Sequence, residues 1–166
     1  MNKIRIGQTA AAVLAVAAGS LTLGAAGTAT AVPAATDICT GYGTNHRLDV
    51  ADIKALKYPR TTVGYVELCQ RWDDSRLIRW TNVRLGYTMN PGEHANGHVR
   101  NRHVDNLPVE AIMSTCYHGT GIIVAPDRLC STGGVEWVEG WQDRADAYIY
   151  NVNNVAIAAG ATDWTN

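Results

Sequence analysis

Thr61-Thr62-Val63-Gly64-Tyr65-Val66-Glu67-Leu68-Cys69, then Asp73-Asp74-Ser75, then Arg76-Leu77-Ile78-Arg79-Trp80-Thr81-Asn82-Val83-Arg84-Leu85, is the stretch that decides the fold. Its outer pieces are rich in β-branched and aromatic residues, which suit a pleated, half-buried surface. The middle piece is polar turn chemistry. Together they predict a hairpin. Working outward, residues 99–104, 111–117, 121–125, 135–139, 145–150 and 152–158 have the same short β character, divided by Gly, Asn and Asp turns. About seven or eight short strands predict an all-β fold: a small, disulfide-bonded sandwich or barrel. A helix over 135–150 is the competing reading, but its apolar residues do not gather on one stripe and Gly140 interrupts it. One short helix is expected over 49–57. Asp49 would cap it, Ile53 and Leu56 would share a buried face, Lys54 and Lys57 would suit its C-terminus, and Pro59 would stop it.

The chain opens with a short basic segment, Asn2-Lys3-Ile4-Arg5, followed by a long run of Ala, Val, Leu and Gly. Ala29-Thr30-Ala31 then supplies a small-x-small cleavage site, so residues 1–31 read as a secretory signal peptide. A second candidate cut follows Ala35. The run is too weakly apolar for a membrane anchor, with Thr9, Ser20, Thr22 and Thr28 interrupting it. Residues 32–166 form the expected single mature domain, with a loose arm at 32–38. No membrane span remains after cleavage. Lys3 and Arg5 leave with the signal, so 12 of the 14 basic residues face all 15 acidic ones, a formal charge of about −3. That balance gives no strong nucleic-acid signal. The mature part has no Phe but holds all five Trp and all seven Tyr, so its core is expected to use these rings with Val, Ile and Leu.

Export to an oxidising compartment makes the four cysteines two disulfides, and the expected pairing is Cys39–Cys69 and Cys116–Cys130. No Cys-x-x-Cys is present, which argues against a redox enzyme or a thiolate zinc site.

Residues 90–106 hold three of the five histidines, His94, His98 and His103, with Glu93 and Asp105 alongside. Neutral imidazoles and a carboxylate at such spacing could hold zinc or another divalent cation, with His98, His103 and Glu93 as catalytic groups of a small hydrolase or nuclease. The favoured reading is plainer: a polar loop with solvated histidines, and neither a catalytic site nor a cofactor. On a strand, His94 and His98 would share a side and His103 would point the other way. Glu67 with Glu136 or Glu139 would serve as a glycosidase pair only if about 5–9 Å apart; acids on a wet strand face are the ordinary reading.

Trp72, Trp80, Arg76, Arg79 and Trp141 form the expected binding surface, because aromatic and Arg groups together are what a protein hot spot or a carbohydrate platform uses. At Gly64-Tyr65-Val66-Glu67-Leu68, followed by Arg71, Trp72 and Arg79-Trp80, the chain resembles a group of small exported actinobacterial proteins with a Gly-x-Val-Glu-Leu strand and a following Trp-containing strand. Cys39 near Gly41 and Gly43 fits their N-terminal part. Cys69 departs from the group, which places its Cys several residues after the Leu. The likeness covers residues 39–85. It implies a compact β domain of uncharacterised function and carries over no active-site residue.

The expected function is that of a secreted, extracellular, non-enzymatic binding protein acting on an extracellular protein or a cell-surface polymer, possible inhibitors included. The alternatives are a metal-dependent hydrolase or nuclease centred on the histidines, and a structural cell-envelope protein.

Overall fold

The computed structural model describes residues 39, 45–105 and 109–166. The expected signal peptide, the arm at 32–38, Gly41, Gly43 and Asn106 lie outside the described residues. Among the described residues nine strands make one antiparallel sheet: β1 His46–Ala55, β2 Thr62–Asp73, β3 Arg76–Leu85, β4 His94–His103, β5 Ala111–Thr115, β6 Leu129–Ser131, β7 Val135–Glu136, β8 Trp141–Tyr150 and β9 Ala156–Ala161. The path runs β5-β4-β8-β9-β1-β2-β3-β6, with β7 also paired to β3. The fold is all-β, as the sequence predicts, and the sheet curls into a nearly closed barrel.

The decisive hairpin pairs without a slip from Gly64–Leu85 to Asp73–Arg76. Asp74 and Ser75 take φ of 46° and 73° at its turn, the left-handed conformation that two-residue hairpin loops require. Alternate residues then point inward: Val66 and Leu68 on β2, Val83 and Leu85 on β3, Val99 on β4, Ile149 on β8. Fully burying each such side chain stabilises by about 1.5–3 kcal/mol. Among the described residues no Trp or Tyr is fully buried, contrary to expectation, and Tyr87 only packs against the core from its margin. Ala95, Gly97, Ala145, Ala147 and Ala158 occupy its inner wall instead, leaving too little width for rings. At Gly97 a Cβ would sit 2.5 Å from Val83 Cγ2, so only glycine lets β3 and β4 approach.

Two contacts bring the ends of the path together. Thr81 Oγ1 of β3 donates to His98 O of β4 at 2.8 Å. A 3₁₀ turn, Cys116–His118, follows β5, and the Cys116–Cys130 bond ties it to β6. Cys39–Cys69 holds the N-terminal side to the outside of β2. Both expected disulfides are present. They fit an oxidising compartment.

Several expectations need correction. Residues 49–57 are no helix: 49–55 lie in β1, bonded to β2 and, at its end, to β9. Ile53 is fully buried but Leu56 is exposed, so the three-residue spacing did not mark a shared face. The stretch 121–125 contributes only an isolated bridge, Ile123 to Ala95. Residues 135–139 shrink to the two of β7, and β6 was not foreseen. The histidines lie on a ten-residue strand rather than in a loop, and no helix replaces β8.

Candidate functional site

The inward-facing series on three strands changes character at one end of the barrel. On β4 it runs Ala95, Gly97, Val99, Asn101; on β8, Ile149, Ala147, Ala145, Asp143; on β3, Leu85, Val83, Thr81, Arg79. Asn101 and Asp143 are register partners. The antiparallel sheet therefore gathers Arg79, Asn101 and Asp143 inside one mouth.

Arg79 and Asp143 form an ion pair at 3.2 Å, with side chains only 2% and 3% exposed. Arg79 Nη1 also donates to Thr165 O at 3.0 Å and Nη2 to Asn166 O at 2.6 Å. The Trp137 ring centroid lies 5.3 Å from the guanidinium carbon, a cation–π distance. Burial lowers the Arg79 pKa and raises that of Asp143, in each case against the attraction of the partner. Arg79 Nε and Asn101 Oδ1 are buried with no hydrogen-bond partner. Such atoms are uncommon in native proteins. Beside them opens a hollow of about 280 Å³, floored by Asn101 and Asp143 and walled by Ala111, Met113, Glu136, Val138 and Trp141. Met113 and Val138 are exposed at its rim.

The expected binding surface divides. Trp141 lines the hollow, and Trp72 stands 60% exposed on the part of the β2–β3 hairpin that reaches past the same end. Arg76 is exposed at the hairpin turn. Arg79 is not a surface residue: strand alternation puts it inside, opposite to Trp80. Trp80 is half-buried on the outer face, in a hollow of about 230 Å³ with Arg71 and Ile78.

The histidines separate along β4. His94 and His98 share the outer face but stand four residues apart, roughly 13 Å along a strand. His103 points inward, edge-on to Trp141. His94 stacks on Tyr150. His98 is buried, and its Nδ1 meets Asp146 Oδ1 at 2.7 Å, while Arg100 Nε bonds the other oxygen of Asp146. Glu93 accepts from Asn90 N at 3.0 Å. Among the described residues the one His/Cys/Asp/Glu group compact enough for a cation is Cys39, Glu67 and Cys69, and those sulfurs are bonded to each other. The sequence-predicted metal ligands do not converge. Glu67 is buried on β2 beside Arg47, while Glu136 lies at the mouth opposite Ile78. Their partners on β3, Asn82 and Ile78, are four residues apart, again roughly 13 Å, outside the range of a glycosidase pair.

Near the other end of β4 a larger hollow, about 530 Å³, lies between Glu93, His94 and the segment Ile122, Val124 and Ala125. None of its lining residues carries a buried, unpartnered polar atom. Comparison with family models, with curated proteins and with solved structures returns no match.

Asn101, Asp143, Met113 and Val138 were missed by sequence reasoning. A signal existed for two of them: Asn101 and Asp143 continue, with polar chemistry, the alternate positions that elsewhere on β4 and β8 are Ala, Val and Ile.

Proposed function

We propose that the chain is a secreted, non-enzymatic binding protein that recognises an extracellular protein or a cell-surface polymer through the tryptophan-bearing mouth of the barrel. One observation carries this reading. The same end that exposes Trp72, Met113 and Val138 also holds a hollow lined by Trp141 and by two buried polar residues, Asn101 and Asp143. Exposed aromatic surface around a pocket with few fixed polar groups is how barrels and interfaces recognise ligands. The two disulfides support an extracellular setting.

The test is a binding screen of the disulfide-intact domain against purified cell-wall polysaccharides and secreted proteins. Trp72→Ala is compared with Tyr58→Ala, which alters a 95% exposed ring near the opposite end. A partner whose affinity falls at least about tenfold with Trp72→Ala alone supports the reading. Partners held equally by both variants overturn it.

A second reading has one observation behind it. Asp146 orients the His98 imidazole through Nδ1, as a carboxylate does for a general-base histidine, and Arg100 lies alongside. A nuclease or hydrolase activity that is lost with His98→Gln, while the melting curve is kept, would replace the binding reading.

A further inference from the structure

The outer face of β4 and β8 gathers cations that the mouth does not use. Alternation puts Arg100 and Arg102 of β4 and Arg144 of β8 on this face, opposite to the inward Val99, Asn101, Asp143 and Ala145. Arg100 and Arg144 are register partners, and like charges directly across two strands disfavour the pairing. Two carboxylates answer the three guanidinium groups: Arg100 Nε bonds Asp146, and Arg144 Nη2 donates to Glu110 at 3.1 Å. Arg102 Nε donates to the neutral Gln142 at 3.0 Å. A network that served only the fold would balance its charges, but here one positive charge is left over. Trp164 lies over the cluster, its ring centroid 4.2 Å from the Arg102 guanidinium carbon and 4.6 Å from that of Arg144. A ring on the face of a guanidinium holds its plane and leaves its N–H edge free to donate. Both Nη atoms of Arg100 and of Arg102, with Nη1 of Arg144, have no hydrogen-bond partner and reach solvent.

Five open guanidinium nitrogens suit a group that is negatively charged and accepts on several oxygens. A phosphate ester has that chemistry, with up to three strong acceptor oxygens, and guanidinium forks match its geometry. A carboxylate has only two oxygens and would leave more donors unused, and a hydroxyl brings no charge. We infer that the cluster of Arg100, Arg102 and Arg144 binds a phosphate ester carried on a polyol or glycan polymer. The site lies on the outer face rather than in the mouth, so it stands independently of what Trp72 recognises. A formal net charge of −1 for the chain does not favour a nucleic acid, whose binding draws on broad electrostatic attraction. Local capture of a phosphate on a more sparsely charged polymer is the better match.

The experiment titrates the full disulfide-bonded protein with glycerol phosphate, acetate and glycerol at constant ionic strength. It follows the indole resonance of Trp164, assigned by its loss in Trp164→Phe. A saturable shift with glycerol phosphate alone is expected. Arg102→Gln should weaken that binding about tenfold, the worth of one hydrogen bond to a charged group. Arg102→Lys should weaken it as well, because the charge stays but the fork is lost. Arg60→Gln removes an exposed arginine between β1 and β2 and should leave the affinity unchanged. The inference is overturned by equal or stronger binding of acetate, by no saturable shift with glycerol phosphate, by full affinity in Arg102→Lys, or by an equal loss in Arg60→Gln. Should Arg102→Gln fail to fold, the comparison of glycerol phosphate with acetate on the unaltered protein still decides. Adenosine monophosphate is the last probe. Binding more than about tenfold tighter than that of glycerol phosphate would overturn the polyol or glycan carrier in favour of a nucleotide.

Discussion

Replacing Arg79 by Met tests the buried pair at the barrel mouth. Met matches much of the length of Arg and keeps an apolar stem under Trp137. It removes the cation that, among the described residues, alone pairs with a carboxylate that is 3% exposed. Losing one partner of a buried pair costs about 3–5 kcal/mol, because the remaining charge is left uncompensated. The loss of donors to Thr165 O and Asn166 O adds little, since Asn166 is exposed and water can replace them. The pH dependence has a definite sign. Burial already raises Asp143 above its ordinary value of 3.8, against the pull of Arg79; without Arg79 only the raising influence remains. A carboxyl raised in the folded state contributes stability that is full below the unfolded value and is lost as pH rises through the folded value. Arg79→Met should therefore be least stable relative to wild type at about pH 7 and should regain about 1.4 kcal/mol on acidification for each unit by which its Asp143 is raised above that of the wild type. Urea unfolding with the disulfides intact, at about pH 7 and about pH 4.5, measures both quantities. The double variant Arg79→Met/Asp143→Leu should return most of the loss, since apolar replacement of a buried pair is often neutral. A single-variant loss below about 1 kcal/mol, or a deficit that deepens on acidification, would refute the reasoning.

Gly97→Ala should destabilise by about 1–3 kcal/mol through overpacking, because the new methyl meets Val83 and lies 3.3 Å from both Cys116 Sγ and Thr81 Cγ2; a thermal melt reads this, and an unchanged midpoint would mean that β3 and β4 can part. Removing the Cys116–Cys130 bond, with a sequence separation of 14, by the paired Ser substitutions should cost about 3 kcal/mol in denaturant titration. Asp146→Asn removes a carboxylate that is 1% exposed and bonded by His98 and Arg100, and should cost about 1.5–3 kcal/mol by the same titration. Trp72→Ala, by contrast, should leave stability within about 0.5 kcal/mol, so that any effect on binding is read without a folding correction.

How much of this was legible depends on how regular each strand is. The 61–85 hairpin could be read because its β-branched residues fall on two uninterrupted strands around a polar turn. The 49–57 stretch could not, because the bulge that leaves Leu48 extra in β1 breaks the period of two just before Asp49, and beyond it the inward side offers only the small Ala51 beside Ile53, too little to mark an alternation. The histidine strand was hidden by Pro91, Gly92 and Gly97, which look like loop punctuation. Gly97 is instead a strand position where another backbone comes close. The mouth was half visible. Composition singles out Trp72 and Trp141, but it also groups Arg79 with the surface, whereas its parity with Thr81, Val83 and Leu85 places it inside. What one sequence withholds is which strands become neighbours, and with it the meeting of Arg79 and Asp143, 64 residues apart.

The Cys116–Cys130 bond has a consequence beyond stability. The two strands at the ends of the sheet path are short, five residues in β5 and three in β6, and the bond keeps their near ends together. A short, tethered margin offers little template for another chain to add to. In a reducing solution those margins would be free to separate, and each would then expose unpaired main-chain groups next to Ile112, Met113 and Leu129, which are already exposed. The oxidised protein should accordingly remain dispersed under conditions in which the reduced protein self-associates, so the bridge also serves as a guard against polymerisation.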